Sequence, residues 1–283
     1  MVVSQSKKSK RINKKTFHIK THILFYLTYE YNQLRSMTRY RDGYKGGVEK
    51  YDFSFTSILK ALSLLLVPIT AYVIGLIPII YTLLLSIRYI DLTTFIGVII
   101  LSVVLVIEFF IFIILETFIP GLIIKIFRIK VDEGVYDISI KDWNFYKYSL
   151  YYVLYRPSLK LIGLLPLLPL RVRFLKLVGL KMGKSSVLAG TELIHDPYLL
   201  EIGEQTLIGG WSQITGHLGE KKLVVKKVKI GDNCLIGGKS FIMPGTVIED
   251  DVTVALNSVV LKDSHLEKGK VYGGTPAKKI GGK

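Results

Sequence analysis

The chain has 283 residues, half of them hydrophobic, and a formal net charge of +16. That length holds one ordinary domain with accessory segments rather than two large ones, and a soluble basic protein rarely combines such charge with such apolarity. The single cysteine, Cys234, excludes an internal disulfide framework and fits a reducing compartment.

Residues 1–57 read as a basic segment. Up to residue 60 there are thirteen Lys or Arg against four acids, densest at Lys7, Lys8, Lys10, Arg11, Lys14 and Lys15. The first twenty residues lack the apolar core of a cleavable secretory signal. A basic tail can be a nucleic-acid patch. Beside a membrane segment, attraction to anionic headgroups is the more economical reading, and no nucleic-acid partner is expected.

Residues 58–127 predict a transmembrane α-helical hairpin. Ala61 to Ile87 contains no charge, and Leu92 to Ile124 is interrupted only by Glu108 and Glu116. Each run exceeds the ~20 apolar residues that a span needs. Pro68, Gly75 and Pro78 inside the first suggest kinks, or a packed neighbour that re-satisfies the backbone. Lys125, Arg128 and Lys130 follow the second run, whereas the intervening loop offers only Arg88. The charge bias predicts a multi-pass protein of the cell membrane with both termini cytoplasmic. Glu108 falls near mid-membrane, where an ionised group costs at least ~2.5 kcal/mol. Glu116 lies roughly 80° further around the helix. The two acids can line a polar pocket for an acceptor or a moving proton; a protonated Glu108 bonded within the bundle, or a Glu116 reaching the interface, is the bland alternative.

Residues 128–177 form a connector whose apolar run, Ser158–Leu170, is too short to span. It is expected to lie at the headgroups as an interfacial or re-entrant segment, or to be buried beneath the next domain.

Residues 178–283 carry a six-residue period. Ile230, Ile236, Ile242, Ile248, Val254 and Val260 recur without a miss, and Ile202, Ile208, Ile214 and Met182, Leu188, Ile194 keep the same step. Four positions later comes a mostly small residue: Ser186, Thr206, Ser212, Cys234, Ser240, Thr246 or Ser258. One buried aliphatic and one small inward residue per six describe a short strand and a tight corner. Three such steps close a triangular coil. The step stretches to eight between Ile194 and Ile202, near His195-Asp196-Pro197, and to sixteen between Ile214 and Ile230. A loop must therefore leave the coil after Thr215-Gly216-His217.

These residues, with Tyr272-Gly273-Gly274-Thr275-Pro276-Ala277-Lys278, resemble the hexapeptide-repeat acyltransferases, over roughly residues 178–281. The resemblance implies a left-handed parallel β-helix. The wider order is similar to the C-terminal membrane and β-helix region of poly-lysine-type peptide synthetases and its stand-alone relatives: membrane helices, then Asp196-Pro197 before Leu200-Glu201-Ile202-Gly203, then Gly216-His217-Leu218. No adenylation or carrier domain is evident.

The family implies an acyl-CoA co-substrate, with no permanently bound cofactor, and a histidine base that His217 matches by position. A histidine suits that task because its ordinary pKa, about 6.5, lies near working pH. The family also places donor binding at Gly237, Gly238 and Ala255, and donor phosphates near Lys262 and Lys278. Corner backbone at Gly237 and Gly238 can also hold an oxyanion, though corner geometry alone selects glycine. Asn257 stands where relatives often have Gly, which fits a left-handed corner. Trp211 and Tyr198 either wall an acceptor pocket or pad a subunit contact. The prism shape and the family imply a homotrimer, and the membrane hairpin favours a membrane lipid or lipid-linked acceptor. Two other classes compete with acyl transfer. A zinc enzyme of the carbonic anhydrase type needs three imidazoles, and His195, His217 and His265 lack paired spacing; no metal is expected. A non-catalytic trimeric scaffold asks nothing of His217.

Overall fold

The computed structural model describes residues 54–165 and 167–282, so the basic run at Lys7–Lys15 lies outside the described residues. Helix α1 (Phe55–Tyr89) starts at Ser54, whose side chain accepts from the Ser57 amide, and runs unbroken through Pro68 and Pro78. Helix α2 (Phe95–Ile126) is capped by Thr94, which accepts from the Gly97 amide. Both are long and apolar enough to cross a membrane. Their outer faces are apolar, with Leu62, Leu65 and Ile77 exposed on one and Ile96, Val103 and Phe109 on the other.

After α2 the chain forms strand β1 (Gly134–Tyr136), then α3 (Trp143–Ile162) and α4 (Leu168–Leu177). Asp142 caps α3 by accepting from the amides of Asn144 and Phe145. The apolar run at 158–170 is divided between these helices, and Leu159, Ile162 and Leu165 are buried in the main core. Tyr151 and Tyr155 stack with ring centroids 5.3 Å apart, and Tyr155 stacks on Phe174 of α4 at 5.9 Å. The Tyr155 hydroxyl donates to the Ile194 carbonyl at 2.5 Å, tying α3 to the β region.

The remainder is a parallel β-helix. Its coils run through β2 (Lys181–Met182), β3 (Val187–Leu188) and β4 (Leu193–Ile194); β5 (Leu200–Ile202), β6 (Leu207–Ile208) and β7 (Gln213–Ile214); β10 (Val228–Ile230), β11 (Leu235–Ile236) and β12 (Phe241–Ile242); and β13 (Val247–Ile248), β14 (Thr253–Val254) and β15 (Val259–Val260). Strands β16 (His265–Leu266), β17 (Lys270–Gly273) and β18 (Lys278–Gly282) close the stack. Three faces result: β2-β5-β10-β13-β16, then β3-β6-β11-β14-β17 with β18 antiparallel at its end, then β4-β7-β12-β15. The period sets the register, because each inward aliphatic pairs with its equivalent one coil on, as Ile208 with Ile236 and Ile236 with Val254. The small inward residues bond vertically. Ser186 Oγ donates to Gly203 O (2.7 Å), Thr206 Oγ1 to Gly231 O (2.8 Å), and Cys234 Sγ to Glu249 O (3.0 Å). Asn257 takes φ +56°, the left-handed corner its residue type tolerates.

Arg171, directly after the apolar run at 158–170, turns inward. It is buried, with Nε 3.0 Å from Glu192 Oε1 and Nη2 donating to Glu192 O at 2.6 Å. Glu192 Oε2 also accepts from the Gly190 amide at 2.6 Å. This pair joins α4 to the first coil, and removing one partner leaves a buried charge uncompensated. Arg171→Ala should therefore cost about 3–5 kcal/mol. Ile236→Ala should cost about 2–5 kcal/mol through lost burial and a cavity. Lys181→Ala, breaking an exposed pair with Glu201, should cost under ~1 kcal/mol. Thermal unfolding of the three variants checks that order.

Candidate active site

The sixteen-residue step between Ile214 and Ile230 is a hairpin. Strand β8 (His217–Gly219) pairs antiparallel with β9 (Leu223–Val225), and β9 pairs with β1 from the connector. Lys222 and Lys227 reinforce the junction through Asp137 (2.9 Å) and Glu133 (3.3 Å). Beneath it Val131, Tyr148, Leu199, Leu223 and Val225 form a separate small core. The extruded segment is therefore held on both sides, and the His217 backbone sits on a strand.

Asp196 completes the site. Its fully buried carboxylate oxygen Oδ2 lies 2.6 Å from His217 Nδ1 and accepts the Gly216 amide at 2.9 Å. Thr215 Oγ1 lies 3.1 Å from the same ring nitrogen and accepts the His217 backbone amide at 3.2 Å. With an ionised Asp196, Nδ1 carries the proton and Nε2 presents a lone pair. The imidazole is 23% exposed, packs on Tyr148 with centroids 5.1 Å apart, and meets the His195 ring edge-on at 6.0 Å. Burial, with the nearby Asp196 charge, holds the Tyr148 and Tyr198 hydroxyls far above their ordinary range. Both phenols stay neutral at physiological pH.

Register explains this convergence. Ile194 pairs with Ile214, so Asp196, two residues after the first, stacks beneath Gly216, two after the second. The eight-residue step at 194–202 is a short 3-10 turn at Pro197–Leu199 that lets Asp196 turn inward. The sequence offered that signal, an Asp-Pro two residues past a phased aliphatic one coil below the histidine. His195, which lacks paired spacing for a metal in the sequence, lies at the site.

The other expected residues divide between two edges of the prism. His217 lies beyond the third face, on its edge with the first. Lys262 follows β15 on that same edge, with Nζ 2.5 Å from Glu220 of the hairpin. Gly237, Gly238 and Ala255 follow β11 and β14, on the opposite edge of the third face; Lys278 pairs with Gly273 there, and Trp211, 66% exposed, is part of the same edge. A single chain does not bring these two groups together. The Gly237 amide donates to Val254 O and the Ala255 amide to Tyr272 O, both at 2.8 Å. The ladder engages both N–H groups, so of the corner pair Gly237 and Gly238 the first amide is already committed. Gly237 is nevertheless required, since a Cβ would collide with the Leu256 backbone.

In the helix pair, Thr82 Oγ1 donates to Glu108 Oε1. Glu116 is enclosed by protein. It is 1% exposed, against Gly75, where a Cβ would lie 2.5 Å from Oε1, and neither carboxylate oxygen has a hydrogen-bond partner. Among the described residues no three His, Cys, Asp or Glu side chains cluster as a metal site.

Residues 227–262 match the family described as the hexapeptide repeat of succinyl-transferase. The C-terminal region is thus a hexapeptide-repeat β-helix, preceded by two apolar helices. The chain is 28% identical over 108 residues to a delta-poly-L-ornithine synthetase of Acinetobacter baumannii, a match covering 36% of this chain and 8% of that relative's length. Among solved structures it is similar to a maltose O-acetyltransferase of Clostridium difficile 630, with 21% identity, 53% of this chain and 92% of that one covered, and a TM-score of 0.41. A hexapeptide-repeat acetyltransferase of Vibrio cholerae, solved with acetyl coenzyme A, gives 20% identity, coverages of 44% and 84%, and a TM-score of 0.37.

Burial, then the Arg156 charge, lowers the His195 pKa below its ordinary value near 6.5, Asp196 opposing them. Unfolded His195 consequently binds more protons than folded His195 at pH values between its two pKa values. Its contribution to stability is complete above about 6.5 and is lost as pH falls toward the folded value. His195→Gln should flatten that part of the stability–pH curve, which denaturation from about pH 7.5 to about pH 5 measures.

Proposed function

We propose that the chain is a membrane-anchored acyltransferase in which His217 is the general base and Asp196 its orienting partner. The observation that carries this reading is the 2.6 Å contact between His217 Nδ1 and the buried Asp196 carboxylate, on a hairpin braced against a hexapeptide β-helix. Acyl-CoA is the donor. The acceptor hydroxyl or amine gives its proton to Nε2 as its oxygen or nitrogen attacks the thioester carbonyl. The C–S bond of the resulting tetrahedral adduct then breaks, and the thiolate leaves with the proton returned by the imidazolium. The Asp196 charge stabilises that imidazolium.

In this reading residues 58–127 anchor the enzyme, 128–177 dock it and 178–283 perform the chemistry, with a membrane lipid or lipid-linked acceptor. Glu108, Glu116 and Trp211 are then acceptor-side residues; Gly237, Gly238, Ala255, Lys262 and Lys278 serve the donor. Assembly as a homotrimer answers the separation of the two edges, because a neighbouring prism can set its donor edge beside His217. The second face supports assembly. Val187, Leu207 and Leu235 form an exposed apolar ladder in register along it, and Leu256 and Trp211 continue it at the edge.

His217→Ala should lower acyl transfer by about 10²–10⁴-fold while the thermal midpoint stays near that of the parent protein; near-normal activity of the purified variant would return the β-helix to a scaffold role. Light scattering in detergent should give three chains per particle, and Leu235→Glu should reduce it toward one; an active wild-type monomer contradicts the assembly. Tags at residues 1 and 283 should be unreachable from outside intact cells, since the Lys/Arg excess flanks the hairpin on the cytoplasmic side; external labelling of either overturns the orientation.

A further inference from the structure

We infer that the acceptor taken up beside His217 carries an anionic group, a carboxylate or a phosphate, and that Arg156 binds it. This rests on the acyl-transfer reading and names its substrate class. Tyr148, Tyr152 and Arg156 follow one another at four-residue steps on α3, so they share one stripe of that helix. The His217 ring lies 5.1 Å from that of Tyr148, which is 6.2 Å from Tyr152, and the Arg156 guanidinium stands 5.5 Å from the Tyr152 ring centroid. The aromatic pair forms a wall running from the base to a guanidinium about 12 Å further along the helix axis.

Arg156 is half-buried, and among the described residues it forms no ion pair. Over the Tyr152 ring its guanidinium donates no hydrogen bond among the described residues. The carboxylate near this wall, Asp196, turns Oδ2 to His217 and the Gly216 amide while its buried Oδ1 has no hydrogen-bond partner, and it forms no ion pair with Arg156, whereas Arg171, the buried arginine one helix further on, has Glu192. A half-buried guanidinium without a counter-charge is costly, and its planar fork matches a carboxylate or phosphate in two-point contact. Its field also reaches the site, because the Arg156 charge helps suppress protonation of His195, which faces His217, Asp196 and Gln213. An anion at Arg156 would neutralise that field. The acceptor is thereby a molecule whose O–H or N–H lies several bonds from a carboxylate or phosphate.

The chain has five histidines, which makes imidazole resonances a tractable probe. Full-length protein in detergent, carrying isotope-labelled histidine, is titrated with inorganic phosphate, with acetate and with chloride at constant ionic strength. Phosphate or acetate should move the His195 resonance saturably and raise its titration midpoint, the stronger ligand naming the anion class, while chloride leaves both unchanged. Arg156→Gln should weaken that response roughly tenfold or more, as expected for a lost charge-assisted hydrogen bond; Arg156→Lys should retain part of it. Equal responses to all three salts, an unchanged response in Arg156→Gln, or no response overturns the assignment and leaves Arg156 as cover for Tyr152. The readout needs no acyl transfer, so an anion response that persists while His217→Ala keeps full activity sinks the base reading and spares the anion site.

Discussion

Parallel pairing of each inward aliphatic with its equivalent one coil away is the constraint from which the candidate site follows. Ile194 against Ile214 fixes the height of the first coil beneath the second, and that height decides which side chains meet at the corner. The side-chain period of a strand is two, so a slip of one residue in either strand would turn its aliphatic outward. It would also separate Asp196 from His217. The same burial that holds the solenoid together, roughly 1.5–3 kcal/mol for each fully enclosed Ile or Val, sets the geometry of the candidate site.

Rigid coils alone would leave His217 at the root of a loose excursion. The connector prevents this. Strand β1 closes a three-stranded sheet over the hairpin, α3 sets Tyr148 beneath the imidazole, and Tyr155 and Arg171 fasten the two connector helices to the first coil. Because α3 also packs against α2, the residues flanking His217 are tied mechanically to the apolar helix pair. In the proposed function this couples the position of the base to the membrane, and an acceptor approaching along the α3 stripe meets Arg156 before it reaches His217.

Much of this was legible in the sequence. A strict six-residue step fixes strand length, inward residues and coil count, and it predicts every phased aliphatic from Leu188 to Val260 as buried. Uncharged runs around Ala61–Ile87 and Leu92–Ile124 mark the helix pair. The hidden part came from contacts between distant segments. Nothing local ties Gly134–Tyr136 to Leu223–Val225, nor Arg171 to Glu192, so neither the hairpin brace nor the buried ion pair has a sequence signature. Asp196 stood in view as part of an Asp-Pro pair, yet its role required counting one full coil plus the two-residue insertion. Gly237 carries a doubled signal, since stacking against the Leu256 backbone demands glycine there whether or not a ligand approaches.

The central claim is that Asp196 orients His217 as a base, and Asp196→Asn tests it most directly. The amide is nearly isosteric, so with its oxygen kept toward Gly216 and Nδ1 the coil packing survives, but it carries no charge to hold the proton on Nδ1 or to stabilise the imidazolium. Steady-state acyl transfer by that variant should fall at least about 10²-fold in kcat, with donor affinity and thermal midpoint close to wild type. A kcat within a few-fold of wild type in the folded variant would contradict the account.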